Sequence, residues 1–195
     1  MALLKFIYFM LCFTLVGCSM TSLGNASSVE KIKKKGNGIL YVTMAKDNRL
    51  KDNYSYYSFD FKQVNKGVLF GTKSIAMAGM LYPSAFKIDS VNYYTKAYIL
   101  PVGKYHIFRY RFGTNQGYLY YFTNMPFEIK EDEVTYLGNM ELVTSEKKFF
   151  LSKKKVNIGI YYSYVNKSET DSVYFKHLYP QFGKYKFAFN ELLSQ

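Results

Sequence analysis

The chain has no tryptophan, two cysteines, two histidines and four prolines among its 195 residues, and 14 acidic side chains face 26 basic ones. Each shortage excludes a chemistry. Cys12 lies in an apolar leader and the other cysteine is Cys18, so nothing beyond residue 18 can close an internal disulfide. A zinc site or a nucleophile needs a second ligand or a base close by. Neither His106 nor His177 has a second His or Cys near it in sequence, and each reads as a packed or surface histidine. Gly113 to Gly117 falls between strands rather than ahead of a helix, which excludes a phosphate loop. Glu131, Asp132 and Glu133 lack the spaced oxygens and glycine of a calcium loop and read as a solvated turn. The expectation is no metal, no cofactor and no catalytic residue.

Long apolar runs are scarce as well. Phe6 to Val16, behind the positive charge of Lys5, is apolar except for Thr14. A helical span takes about 20 residues, so these eleven read as a cleaved signal segment rather than an anchor.

The end of that run is more specific. Leu15-Val16-Gly17-Cys18 resembles the lipobox of bacterial lipoproteins, with small Gly17 before a nucleophilic thiol. The resemblance implies thioether lipidation at Cys18, cleavage before it, and attachment to the membrane through covalent lipid. Several acyl chains, at about 0.8 kcal/mol per methylene, make such an anchor stable. In lipoproteins of this kind the next residue influences sorting, and Ser19 instead of aspartate implies the outer membrane, facing the periplasm.

Residues 1–17 are thus read as signal peptide, and the 178 that remain suffice for one domain. Residues 18–37 read as a flexible basic tether, small and polar and then rich in lysine at Lys31, Lys33, Lys34 and Lys35. Those lysines either dock on an anionic membrane surface or form a soluble spacer. A net charge of +12, reduced by one on loss of Lys5, attracts lipid headgroups, phosphates or acidic wall polymers. Export argues against a nucleic-acid partner.

Residues 38–195 read as an all-β domain. Ile39 to Met44 has strand composition, and Tyr57, Phe59 and Phe61 alternate with Ser58, Asp60 and Lys62, so the two are expected to form a hairpin. Pro101-Val102-Gly103 is expected to reverse the chain tightly between two strands. In the second of these, His106, Phe108, Tyr110 and Phe112 should face inward, opposite Tyr105, Ile107, Arg109 and Arg111. Val156 to Tyr164 is the longest clean alternation and should be a central strand. Ser168 to Asp171 can cap a short helix through Tyr179, with Val173, Phe175 and Leu178 packing on the sheet. The fold expected is a single antiparallel β-sandwich of about seven or eight strands with one short helix near the C-terminus.

Two stretches carry a further resemblance. Leu100-Pro101-Val102-Gly103-Lys104-Tyr105, and Phe127-Glu128-Ile129 with Val134-Thr135-Tyr136-Leu137-Gly138-Asn139, are similar to envelope lipoproteins with a prealbumin-like, carboxypeptidase-regulatory-like sandwich. That family usually has a glycine in the turn where this chain has Asp132-Glu133. The resemblance implies a fold and a location, and no activity.

Lys147, Lys148, Lys153, Lys154 and Lys155 flank Phe149-Phe150-Leu151, a basic cluster that either contacts an acidic surface or guards a strand edge. Tyr161 is a candidate for stacking on sugar rings. The functional expectation is a non-enzymatic lipid-anchored envelope protein that is structural or binds another envelope protein. The alternative is a module binding glycan, such as an acidic glycan or peptidoglycan.

Overall fold

The computed structural model describes residues 21–22, 32, 36–47, 54–64, 72–78, 86–88, 91–114, 117–148 and 155–190. Aromatic and β-branched residues at two-residue spacing favour a pleated, half-buried backbone. The strands that result are β1 (Thr21–Ser22), β2 (Asn37–Asp47), β3 (Tyr54–Gln63), β4 (Thr72–Ala78), β5 (Phe86–Ile88), β6 (Val91–Pro101), β7 (Gly103–Thr114), β8 (Gly117–Ile129), β9 (Glu133–Lys148) and β10 (Lys155–Val165). Helix α1 (Ser168–Leu178), a 3-10 turn (Pro180–Phe182) and strand β11 (Lys186–Phe189) complete the order.

Among the described residues these strands form two sheets. The larger runs β1-β6-β2-β9-β10, with β5 beside β6 and β11 beside β9; the smaller runs β4-β3-β7-β8. The smaller sheet is antiparallel throughout. The larger is mixed, because β9 runs parallel to both β2 and β11, which corrects the expectation of a purely antiparallel fold. A parallel neighbour needs a long crossover. Between β2 and β9 that crossover consists of other strands, a connection that strand periodicity does not encode.

The two sheets share a core. Leu40, Val42, Met44, Leu100 and Leu137 from the larger sheet are buried with Tyr57, Phe59, Phe61, Ile107 and Phe127 from the smaller one. Full burial of each such side chain contributes about 1.5–3 kcal/mol. Tyr105 stacks on Phe127 with ring centroids 5.3 Å apart, and its hydroxyl donates to the Pro101 carbonyl at 2.8 Å.

The other face of the larger sheet is covered too. Ile39, Tyr41, Ile99, Val134 and Tyr136 pack with Phe175 of α1, Phe182 and Ile32. Phe175 meets the Tyr41 ring edge-on at 5.0 Å. β2 is therefore buried on both sides, and its run from Ile39 to Met44 is nearly continuous in apolar residues rather than alternating.

Helix α1 forms where expected, but its details differ. No side chain of the N-cap residue Lys167 bonds the first turn, and Asn166 Oδ1 accepts from the Ser168 N–H at 3.0 Å. Asp171 and Phe175, four residues apart on one face, turn inward, whereas Val173 and Leu178 are exposed. The buried Asp171 carboxylate accepts hydrogen bonds from Thr43 Oγ1 at 2.6 Å and from the Tyr136 hydroxyl. Burial, and then the bond to Asp171, push the Tyr136 phenol well above its usual range, so it remains a donor.

Two other expectations are corrected. β2 and β3 form no hairpin, since each enters a different sheet. Among the described residues β10 is the outermost strand of its path, paired with β9 alone, instead of a central one. Pro101-Val102-Gly103 carries the chain from β6 in one sheet to β7 in the other, with Gly103 at φ 147°. In the turn before β9, Asp132 takes the left-handed conformation at φ 55°, one that aspartate tolerates better than most side chains.

Gly38 marks the tightest approach in the fold. A Cβ there would lie 2.1 Å from the Lys130 carbonyl oxygen and 2.8 Å from Ile129 Cγ2. Gly38→Ala should cost about 2 kcal/mol or more, seen as a lower urea midpoint at unchanged slope. A wild-type midpoint would refute this contact.

Candidate functional site

The site is built on a fault in the β7 ladder. Residues before it alternate normally, with Tyr105 and Ile107 buried in the shared core. Between Ile107 and Arg109 the register shifts against both neighbouring strands, leaving Phe108 outside the pairing. A bulge of this kind lets two successive residues face the same way. His106, Phe108, Arg109 and Arg111 therefore share the outer face, while Tyr110 and Phe112 return to the core. This corrects the expectation for His106 and Phe108, which face outward, and for Tyr105 and Ile107, which face inward, and leaves that for Tyr110, Phe112, Arg109 and Arg111 unchanged.

β3 and β8 complete the face. Ser58 lies in register with Arg111, Asp60 with Arg109, and Lys62 with His106. Across the other ladder, Tyr120 lies opposite Arg111 and Phe122 opposite Arg109. β8 continues past Pro126 because it is an edge strand, where a missing N–H need not break the sheet.

Asp60 is wholly buried at the centre of this face. Arg109 Nε donates to its Oδ2 at 2.5 Å, Arg111 Nη2 reaches both carboxylate oxygens at 3.1 and 3.2 Å, and the Ser74 hydroxyl donates to Oδ1. Burial alone would raise the Asp60 pKa, but the Ser74 hydrogen bond and the two guanidiniums outweigh it and hold the carboxyl below its usual range. With its oxygens occupied in this way, Asp60 is a poor general base. It is an organiser, locking two cations in place.

Those cations lie over rings. The Arg109 guanidinium is 5.2 Å from the Tyr120 centroid and 5.7 Å from that of Phe108, and Arg111 is 6.0 Å from both Tyr118 and Tyr120. Lys62 Nζ lies 5.6 Å from Phe108. Such contacts contribute about 0.5–1 kcal/mol each where solvent reaches them. Burial, and secondly Lys62, lower the His106 pKa, which keeps that imidazole neutral near pH 7. Lys62, Arg109 and Arg111 against Asp60 leave the face with a surplus of two positive charges. Its rings remain open to water: Tyr118 is 56% exposed, Tyr120 46% and Phe122 77%.

The sites expected from sequence are elsewhere. Cys18, Ser19, Lys31, Lys33, Lys34, Lys35, Lys153 and Lys154 lie outside the described residues. Lys147 and Lys148 end β9 and Lys155 begins β10, where Lys155 pairs with Lys148, so the backbone brings them together at one end of that hairpin. Tyr161 lies in β10 opposite Val143. His177 is exposed in the last turn of α1, far in sequence from the other histidine. The acidic turn is divided among separate contacts: Glu131 accepts from the Gly36 N–H at 3.0 Å and Glu133 lies 3.7 Å from Lys186 Nζ. Asp132 lines a pocket of about 250 Å³ with Lys184 and Tyr185. Among the described residues no three metal-ligating side chains cluster, and no helix is long and apolar enough to cross a membrane.

The Asp60 cluster was missed in the sequence because its parts are dispersed over four strands. One signal was available: two of the chain's three arginines sit two residues apart in β7, while every other cation but one is lysine.

No protein-family model matches the chain, and no curated protein matches it. Among solved structures it is similar to a leucine-rich repeat protein from Bacteroides thetaiotaomicron, at 15% identity over 53% of this chain and 13% of that one, with a TM-score of 0.33. That likeness is too slight to assign a fold.

Because the folded pKa of Asp60 lies below its ordinary value of 3.8, its contribution is fully present above that value and is lost as pH falls through the folded pKa. Asp60→Asn should cost roughly 2 kcal/mol at neutral pH, and the gap from wild type should narrow in urea titrations below pH 3.8. An equal gap at both ends of the pH range would show that the carboxylate is not held by the arginines.

Proposed function

We propose that the chain is a lipid-anchored, non-enzymatic protein of the bacterial envelope, held at the outer membrane on its periplasmic side, that binds another envelope component. Lipidation at Cys18 is supported by the apolar leader and by Leu15-Val16-Gly17-Cys18. Only two residues separate Cys18 from β1, a reach of about 10 Å, so an anchor at that sulfur would keep the domain close to the bilayer surface. β1 pairs with β6 at Ile99 and Tyr98, which ties this end of the chain to the larger sheet.

The finer fold proposed is one sandwich of the prealbumin-like type, with α1 added on the outside. The shared core of the two sheets and the Tyr105 hydroxyl bonded back to Pro101 favour it. The mixed pairing around β9 is its departure from that type.

The observation that carries a binding role is the open ring-and-guanidinium face on β7 and β8. Fixed cations among exposed rings suit recognition, and the only carboxylate within that cluster is occupied by three donor side chains. Two partners suit this region. A protein partner would use the β8 edge; a glycan would use the flat face, and the row of exposed rings favours the glycan.

The anchor is tested by Cys18→Ser. Wild-type protein should incorporate labelled palmitate and sediment with membranes, whereas the variant should carry no label and retain its leader. An unlabelled wild-type chain in the cytosol would remove the envelope assignment.

A further inference from the structure

We propose that the outer face of the smaller sheet binds an acidic oligosaccharide, a polymer of carboxylate-bearing sugars, laid along β8. The sugar faces rest on Tyr118, Tyr120 and Phe122, and the carboxylates turn toward Arg109, Arg111 and Lys62. The proposal rests on the binding role above and specifies its ligand.

The three rings stand on alternate positions of one strand, about 7 Å apart along it, and the Tyr118 and Tyr120 centroids are 6.4 Å apart. Such a row is a linear platform, and the C–H faces of a sugar chain match rings in series. A purely apolar ligand would leave the adjacent cations without a counter-charge. A neutral sugar would leave them equally unmatched.

The cations have capacity left. Asp60 neutralises one positive charge of three, and the Arg109 and Arg111 side chains keep 30% and 24% of their surface open to solvent. Each guanidinium is fixed from below by Asp60 and from the side by rings, so little side-chain freedom remains to be lost on binding. Arginine presents paired donors in a planar fork that fits a carboxylate. The same rings and cations could stack single-stranded nucleic acid. Export favours a glycan over nucleic acid, and the planar forks of Arg109 and Arg111 suit its carboxylates.

The test uses the full chain in detergent, titrated by calorimetry with a hexamer of guluronate, with cellohexaose as neutral control and with twelve-residue oligothymidylate. The hexauronate should bind at least about tenfold more tightly than cellohexaose, and its affinity should fall with added salt. The double variant Tyr120→Ala/Phe122→Ala should lose about tenfold or more in affinity while still unfolding cooperatively, its urea midpoint lowered only by the lost contacts of Tyr120 with Arg109 and Arg111. Lys62→Gln should weaken hexauronate binding and leave its salt dependence shallower. Equal binding of the neutral hexamer, tighter binding of the oligonucleotide, no hexauronate binding, or wild-type affinity in the double variant would each overturn the proposal. Failure here with Cys18 still lipidated leaves the anchored assignment standing, whereas an unlipidated chain that binds hexauronate leaves the ligand standing and removes the anchor.

Discussion

Coverage of the larger sheet on both faces is the constraint on which the other features depend. Ile39, Leu40, Tyr41, Val42 and Met44 of β2 have no exposed surface, because even-numbered members face the smaller sheet and Ile39 and Tyr41 face α1. Such a strand cannot present chemistry to solvent. The smaller sheet, with one side committed to the core, is left to supply an open β-surface, and the exposed rings and cations are found there. Asp171 belongs to the same arrangement of layers. Its carboxylate, bonded to Thr43 and Tyr136, registers the helix on the sheet at the point where a purely apolar contact would let it slide.

Much of this was legible from periodicity. The inward set Tyr57, Phe59 and Phe61 and the core placement of Tyr110 and Phe112 follow from spacing, and the helix from its Ser168–Asp171 start. Spacing cannot supply which strands meet. β2 and β3 are adjacent in sequence and in different sheets, while β2 and β9 are far apart and paired. The long alternation of β10 marks an amphipathic strand, and amphipathic strands suit the outside of a layered fold; the central one reads as a nearly unbroken apolar run.

The bulge at Phe108 explains why the candidate site was hidden. A period-two reading assigns every second residue of β7 to one face, and a single unpaired residue reverses that assignment for everything before it. Lysine runs catch the eye because they are contiguous, whereas the Asp60 cluster draws on β3, β4, β7 and β8. The residue type was the better clue. In a chain that uses lysine nearly everywhere, Arg109 and Arg111 occupy the two positions where a planar fork is required, one bonding Asp60 through Nε and one spanning both its oxygens while lying over rings.

The exposure of β8 then becomes informative. A long edge strand carrying Tyr118, Leu119, Tyr120, Tyr121 and Phe122 in succession is a hazard for edge-to-edge aggregation, and proteins normally blunt such edges with charge, proline or irregular pairing. Here the guards lie beside the rings rather than replacing them. Pro126 interrupts the donors, the register shift at Phe108 disturbs the ladder, and the two guanidiniums set positive charge next to the aromatic row. Polar substitutions would protect the edge more simply. Retaining the rings and surrounding them with cations is what the proposed binding role requires of this edge.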